Sequence, residues 1–136
     1  MIVVLDTNVI VEAIFWPRST ARRVMAGLAL RRFKAAVSQE ILEEYTAVVA
    51  EIRLRLFPLA RPAGALTWIA AKSIHVEPMP LAGKLSRDPQ DNLFVTTAVA
   101  VRASFLATQD RDLLVPEKPF GIQMVTPVQL IREFHL

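Results

Sequence analysis

The stretch IVVLDTN, residues 2–8, joins a continuous apolar run to an aspartate and two further polar residues. Four apolar residues in a row are too few for a helix and leave neither face polar, which is typical of a central strand in a parallel sheet. We therefore predict a buried strand over residues 2–5, in the middle of the sheet. Asp6 then stands at the carboxyl end of that strand.

After this strand, the rest of the chain alternates short apolar strands with longer amphipathic helices. Further strands are predicted over residues 33–37, 74–77, 104–108 and 122–125, and helices over residues 9–15, 19–30, 38–52, 63–72, 88–103 and from 126 onward. The Pro- and Gly-bearing residues 78–87 are predicted as the longest loop. This alternation predicts an α/β fold with a parallel sheet covered on both faces. No repeat or linker divides the chain, so one domain over residues 1–136 is expected.

The composition limits the class of protein. Hydrophobic residues make up 53% of the 136 residues, and the mean hydropathy is +0.36. No apolar run approaches the roughly 18 residues of a membrane span, so the excess is assigned to a buried sheet and to an oligomer interface. Without a basic leader before the first strand, we expect a cytoplasmic protein with no membrane partner. The absence of cysteine excludes thiolate metal sites.

The charge is unevenly distributed. The net charge is only +3, and many arginines fall in the first half of the chain, whereas several aspartates fall in the second. A basic surface around an acidic pocket would suit a phosphodiester substrate. Ordinary solvated helix faces explain the same arginines, and both interpretations stay open.

Four acidic residues stand where a strand is predicted to end or a helix to run beside the sheet: Asp6, Glu44, Asp91 and Asp110. The carboxyl ends of parallel strands share one edge of a sheet, where ligands collect. Gathered carboxylates repel one another unless a divalent cation neutralises them. All-oxygen ligation without cysteine or a histidine pair favours Mg²⁺ or Mn²⁺ over zinc. Taken singly, these acids are also explained as helix caps, turn residues or solvated side chains.

Helical geometry separates two adjacent glutamates. Residues 41, 45, 48, 49 and 52 form one apolar stripe. Glu44 lies at the edge of that stripe, whereas Glu43 lies nearly opposite it. We therefore expect Glu44 to reach the site and Glu43 to face solvent.

Two further pairs of aspartates are separated in a similar way. Asp91 shares a helix face with Phe94 and the apolar residues that follow, which makes it the ligand, and Asp88 before Pro89 is the N-cap or a supporting group. Asp110 lies nearer the end of its strand than Asp112, so Asp110 is assigned to the pocket and Asp112 to a supporting role.

Other kinds of site find little support in the sequence. No Gly-rich phosphate loop is present, and Ser104 has no pattern of His and Asp partners. Trp16, Trp68 and Phe94 are predicted to belong to the core rather than to a base-stacking surface.

The segments VVLDTNVIV, SQEILEEY, RDPQDNLFVTTAVA and FLATQDRDLL together resemble the PIN-domain superfamily, in the branch of VapC-like toxins from toxin–antitoxin pairs. The resemblance covers nearly the whole chain in order and spacing. It implies a three-layer α/β/α sandwich around a parallel β-sheet and a Mg²⁺- or Mn²⁺-dependent endoribonuclease. It also implies an RNA substrate, a cognate antitoxin protein and a homodimer.

Carried over by motif, the resemblance implies catalytic roles for Asp6, Glu44, Asp91 and Asp110, of which Asp6, Asp91 and Asp110 hold the metal. Asn8 and Thr108 match polar residues that steady the first and last carboxylates, and Asp88 and Asp112 are additional supporting residues. Gln109 is a departure from the family pattern that removes no ligand.

Two alternatives to the ribonuclease remain. The first is an RNA- or antitoxin-binding PIN-like module with weak or no nuclease activity. The second is a phosphatase or phosphoacceptor domain in which Asp6 is phosphorylated. That class expects a lysine after a later strand, whereas Lys84 and Lys118 fall in proline-rich loops.

Overall fold

The computed structural model describes residues 1–77, 89–114 and 119–136, with the side chains of residues 89–92 and 119 left out. The strands in these ranges are β1 (Ile2–Leu5), β2 (Lys34–Val37), β3 (Ile74–His75), β4 (Phe105–Ala107) and β5 (Gln123–Val125). The helices are α1 (Thr7–Phe15), α2 (Thr20–Ala29), α3 (Gln39–Leu56), α4 (Ala63–Lys72), α5 (Pro89–Ala100) and α6 (Pro127–Phe134), and residues Pro119–Gly121 form a 3₁₀ turn.

The five strands form a parallel sheet in the order β3-β2-β1-β4-β5. The predicted central place of β1 is confirmed. Val3, Val4 and Leu5 are all buried, and because successive side chains of a strand point to opposite faces, both faces of the sheet are covered. The predicted α/β fold, a three-layer sandwich around a parallel sheet, is therefore confirmed. A single domain over residues 1–136 stays a prediction.

Most element boundaries agree with the sequence to within a few residues. The largest difference among the helices is α3, which was predicted to end near Ile52 and continues to Leu56. Arginine is a good helix former, and Arg53 and Arg55 in the last turn interact favourably with the helix dipole, so the Arg-rich segment extends the helix instead of ending it. Pro58 then prevents continuation.

Several other predicted elements are shorter in the structure, among them β3 and α5. Strand β3 contains two residues instead of four. Helix α5 ends at Ala100 instead of residue 103. The chain then passes through Arg102, which has a left-handed φ of 54°. Arg31, which follows α2, has a similar φ of 58°. The predicted loop over residues 78–87 and the predicted cap Asp88 lie outside the described residues. No helix in the described part of the chain is long and apolar enough to cross a membrane.

The register of the central strands places the site. Leu5 of β1 pairs with Ala107 of β4, and the Asp6 N–H donates to the Ala107 carbonyl at 2.9 Å. The next residues, Asp6 and Thr108, therefore leave the sheet side by side. Helix α3 is joined to the same strand end, because the buried Tyr45 hydroxyl donates to the Leu5 carbonyl.

Candidate active site

The carboxylate of Asp6, at the end of β1, accepts hydrogen bonds from one backbone N–H and two side chains. As the N-cap of α1 it accepts a hydrogen bond from the Thr7 N–H at 2.7 Å on Oδ1. Its Oδ2 accepts from the Thr108 hydroxyl at 2.6 Å and from Asn8 Nδ2 at 3.2 Å. A helix cap and a site residue are thus compatible: one oxygen caps α1, and the other is oriented by Asn8 and Thr108.

Three of the four predicted carboxylates line one open cavity of about 710 Å³ at the carboxyl ends of β1 and β4. Asp6 comes from the end of β1, Glu44 from α3 and Asp110 from the turn after β4. Further polar residues line it, namely Thr7, Asn8, Glu12 and Gln109, together with the apolar residues Val11, Trp16, Val48, Ile52, Phe94 and Leu113. The fold therefore brings distant acidic residues to a space open to solvent.

The two adjacent glutamates of α3 are placed as helical geometry predicts. Glu44 is partly buried and lines the cavity, and the Thr7 hydroxyl donates to its Oε2. Glu43 is exposed, and its nearest described partner is Gln39 Nε2 at 3.4 Å. Thr7 thus connects the start of α1 with the one of these two glutamates of α3 that reaches the cavity. The catalytic role of Glu44 stays a prediction.

The turn after β4 distinguishes Asp110 from Asp112. The Asp110 N–H donates to Thr108 Oγ1 at 3.0 Å, and the Asp112 N–H donates to Asp110 Oδ1 at 2.9 Å. Asp110 is partly buried and lines the cavity, whereas the side chain of Asp112 is exposed. Asp112 therefore supports Asp110 through its backbone, and its own carboxylate points elsewhere.

The charges in the cavity influence one another. Burial raises the pKa of Asp6, and the hydrogen bonds from Thr108 and Thr7 oppose that rise by favouring the carboxylate. The negative charges of Glu44 and Asp110 raise the pKa of Asp6 further. Burial, followed by the charges of Asp6 and Glu44, also raises the pKa of the Tyr45 hydroxyl, which stays protonated. The three carboxylates are thus close enough to repel, which is an arrangement that a cation would stabilise.

The structure does not describe the side chain of the fourth predicted carboxylate, Asp91, or that of the supporting residue Asp88. Asp91 is the third residue of α5, and its side chain lies outside the described part of the chain, as does the whole of Asp88. Phe94, one turn further along α5, is buried and lines the cavity. Among the side chains that the structure describes, no group of three acidic or histidine residues is arranged to hold a metal ion. The ligand role of Asp91 therefore stays a prediction.

Around the carboxylates lies a second layer of polar contacts that the sequence did not predict. Gln109 Nε2 donates to Glu12 Oε2 at 2.6 Å, and the Gln109 N–H donates to Asn8 Oδ1 at 3.0 Å. Glu12 follows Asn8 by four residues, the spacing that puts two side chains on one face of a helix. That spacing could have indicated Glu12 as a fourth carboxylate among the described residues of the cavity.

The prediction that three aromatic residues belong to the core is wrong for one of them. Phe94 is buried and Trp68 packs partly buried against the core, as expected. Trp16 is 44% exposed and lines the cavity. It follows the last residue of α1, where Phe15 and Phe57 occupy the space beneath it, so only part of the indole is covered.

Replacing Thr108 with valine tests the electrostatics of Asp6. The valine keeps the shape of the side chain but removes a hydrogen bond that favours the carboxylate, so the pKa of Asp6 should rise further. A carboxyl whose folded pKa exceeds its unfolded value destabilises the fold as the pH rises from the unfolded pKa, about 3.9, through the folded pKa. The extra loss of stability caused by Thr108→Val should therefore grow over this pH range. Urea unfolding in EDTA at several pH values measures it.

The control for this experiment is the same substitution in an Asp6→Asn background, where the pH-dependent part of the loss should disappear. A loss of constant size, from the unpaired Asp110 N–H, is expected in both backgrounds. A difference between Thr108→Val and wild type that does not change with pH would contradict the assignment.

Comparison with known proteins gives the same family as the sequence motifs. A family model described as a PIN domain matches residues 2–112, which include β1 to β4 and every candidate site residue. Neither the comparison with curated proteins nor the comparison with solved structures found a match. On the extent of the family match, the chain belongs to the PIN domain family.

Proposed function

We propose that this protein is a Mg²⁺- or Mn²⁺-dependent endoribonuclease that hydrolyses RNA phosphodiester bonds, and that it is the toxin of a toxin–antitoxin pair. PIN domains are generally nucleases, which supports the class of reaction. The observation that carries the proposal is the convergence of Asp6, Glu44 and Asp110 on one open cavity. These carboxylates repel one another, and they would also repel an anionic substrate unless a cation is bound between them.

The donor set suits a hard cation. Asp6 and Asp110, with Asp91 as the predicted third carboxylate, would hold Mg²⁺ or Mn²⁺ through oxygen alone. When bound, the ion would lower the pKa of a water molecule and neutralise charge that develops on the phosphate. Asn8 and Thr108 keep Asp6 oriented towards the cavity, and the Thr7 hydroxyl does the same for Glu44. We assign Glu44 to orienting the attacking water and receiving its proton.

The accessible substrate follows from the size of the cavity. An acidic cavity of this size requires a phosphate that is exposed, as in single-stranded or loop RNA. Arginines outside the cavity would hold the backbone of the strand. Arg18, for example, is exposed shortly after the end of α1. Together with Trp16 it lines a neighbouring cavity.

The test is cleavage of a structured RNA with loops by the wild type, Asp110→Asn, Asp91→Asn and Asp112→Asn, in Mg²⁺ and in EDTA. Asp110→Asn and Asp91→Asn should lose about 10²- to 10³-fold of the rate, because they remove charge that stabilises the transition state. Asp112→Asn is the matched control, since its side chain is exposed in the same turn, and it should cleave normally. Equal cleavage by all four proteins, or cleavage that persists in EDTA, would reject the proposal.

The alternative is an RNA- or antitoxin-binding module with weak or no nuclease activity. Titration with Mn²⁺ separates the two functions, because a ligand that binds the folded state raises the melting temperature. A binding module should show no Mn²⁺-dependent rise.

We propose the homodimer and the antitoxin as partners on the basis of the surface. Leu54, Leu56 and Leu59 are exposed around the end of α3, and large exposed apolar side chains in one region favour association. Light scattering of the purified protein measures the oligomer. A short neighbouring reading frame that encodes a DNA-binding protein would support the antitoxin, and its purified product should reduce RNA cleavage.

A further inference from the structure

Trp16 is a large apolar side chain that lines the acidic cavity and that the fold leaves partly uncovered. Its ring stands nearly perpendicular to Phe15, at 82° and 6.4 Å between centroids, and to Phe57, at 87° and 5.3 Å. Phe15 and Phe57 stack on each other at 5.0 Å. The backbone N–H of Trp16 donates to the Glu12 carbonyl at 2.9 Å, which fixes the main chain at this position. The indole therefore packs against Phe15 and Phe57 while 44% of the residue stays exposed.

Two cavities meet at this indole. The first contains Asp6, Glu44 and Asp110, and the second, of about 500 Å³, is lined by Glu12, Trp16, Pro17, Arg18 and Ser19. Glu12 and Trp16 line both of them, so the surface continues from the carboxylates past the indole to Arg18. A chain molecule that places one phosphate at the carboxylates could place a later one at Arg18.

The chemistry between these two ends suits a base. Val11, Val48 and Ile52 contribute apolar surface to the lining of the first cavity, and a phosphate gains nothing from such surface. The Glu12 carboxylate, held by Gln109, repels a phosphate at this point. A nucleobase has two apolar faces and stacks on aromatic rings without regard to sequence. An exposed indole that lines the same cavity as this apolar surface meets that requirement.

We infer that Trp16 is a stacking platform for one unpaired nucleobase beside the scissile phosphate, with the RNA strand continuing towards Arg18. The inference rests on the proposed function, because it specifies where the strand lies relative to the acidic site. It adds a recognition site that is separate from the carboxylates. Double-stranded RNA, whose bases are paired and stacked, cannot use it.

The first measurement is tryptophan fluorescence. The chain contains two tryptophans, so Trp68→Phe leaves Trp16 as the only indole. A hexaribonucleotide of mixed sequence, added in Ca²⁺, should quench its fluorescence. The same sugar-phosphate chain with every base removed should not quench it.

The second measurement is binding of these two oligonucleotides, labelled, to the variants. Trp16→Ala should weaken binding of the complete RNA roughly 5- to 150-fold, as expected for one base stacked on an aromatic ring. It should leave binding of the abasic chain unchanged. Trp16→Phe should retain most of the affinity. Leu30→Ala is the matched control, because Leu30 is 74% exposed and lines neither cavity, and it should bind like wild type.

The outcomes separate this inference from the proposed function. Cleavage in Mg²⁺ with unchanged RNA binding by Trp16→Ala would overturn the stacking platform and leave the nuclease intact. Quenching and base-dependent binding without any cleavage would support the platform and reject the nuclease. An equal loss for complete and abasic chains would overturn the platform, since Trp16 would then support only the fold. Quenching that depends on protein concentration without RNA would also overturn it, because a second copy would cover the indole.

Discussion

Asp6→Asn is expected to lower Mg²⁺-dependent RNA cleavage by about 10³-fold, because a metal ion supplies several kcal/mol of transition-state stabilisation and this substitution removes one of its ligands. The same substitution should make the metal-free protein more stable. Burial and the charges of Glu44 and Asp110 raise the pKa of Asp6 in the folded state, so the ionised carboxylate opposes folding. Asparagine is as good an N-cap as aspartate and can keep the hydrogen bond from the Thr7 N–H.

The sign of this effect depends on pH. Below the unfolded pKa, Asp6 is protonated in both states and its charge costs nothing. As the pH rises through the folded pKa, the cost appears in the wild type and not in Asp6→Asn. The advantage of the variant in unfolding free energy should therefore be full at neutral pH and disappear in acid.

Three measurements check the prediction for Asp6→Asn: the rate of RNA cleavage in Mg²⁺, urea unfolding in EDTA across pH, and the rise in melting temperature caused by Mn²⁺. The wild type should be stabilised by Mn²⁺ and the variant should not. Asp112→Asn serves as the control, because it removes the same charge from an exposed side chain. A variant that is less stable than the wild type at neutral pH, or that cleaves normally, would contradict the role assigned to Asp6.

Glu44→Gln is expected to lower the cleavage rate by about 10²-fold, the smaller end of what a general base contributes. Its carboxylate reaches the cavity from α3, and an amide cannot accept a proton from water. The amide oxygen can still accept the hydrogen bond from Thr7, so the fold should be kept. Because the neighbouring Glu43 is exposed on the same helix, Glu43→Gln should cleave at the wild-type rate.

The comparison of these adjacent glutamates needs the rate at saturating RNA as well as the affinity. A group that acts on the attacking water should lower kcat with little change in KM. Equal rates for Glu44→Gln and Glu43→Gln would mean that the direction in which each side chain points from α3 does not decide its role in cleavage. A loss confined to KM would place Glu44 in binding instead of catalysis.

The sheet was predictable because its signals are local. The run at residues 2–5 is apolar on both faces, and a strand of that kind has to lie in the interior of a parallel sheet. The placement of Asp6 and Asp110 followed from the rule that the carboxyl ends of parallel strands share one edge. Side-chain direction on α3 was also predictable, since the helical period alone separates Glu44 from Glu43.

The exposure of Trp16 was not predictable in this way. Whether an aromatic residue at a helix end is covered depends on which other residue reaches the same space. Phe57, which follows Trp16 by 41 residues in the sequence, stacks on Phe15 and packs against the indole. The hydrogen bond from Gln109 to Glu12 was not predictable for the same reason, because it joins two residues that are 97 apart in the sequence.

The sequence by itself determined the order of strands and helices, the parallel sheet, the family and the list of candidate acids. Hydrophobic periodicity and motif spacing act within a few residues, so they can be read along the chain. Only the tertiary structure decided which of these acids share a cavity and how each is held. Thr108 donates to Asp6 across 102 residues, and the charges of Glu44 and Asp110 act on Asp6 through space. Such interactions depend on distances between atoms that only the folded chain brings together.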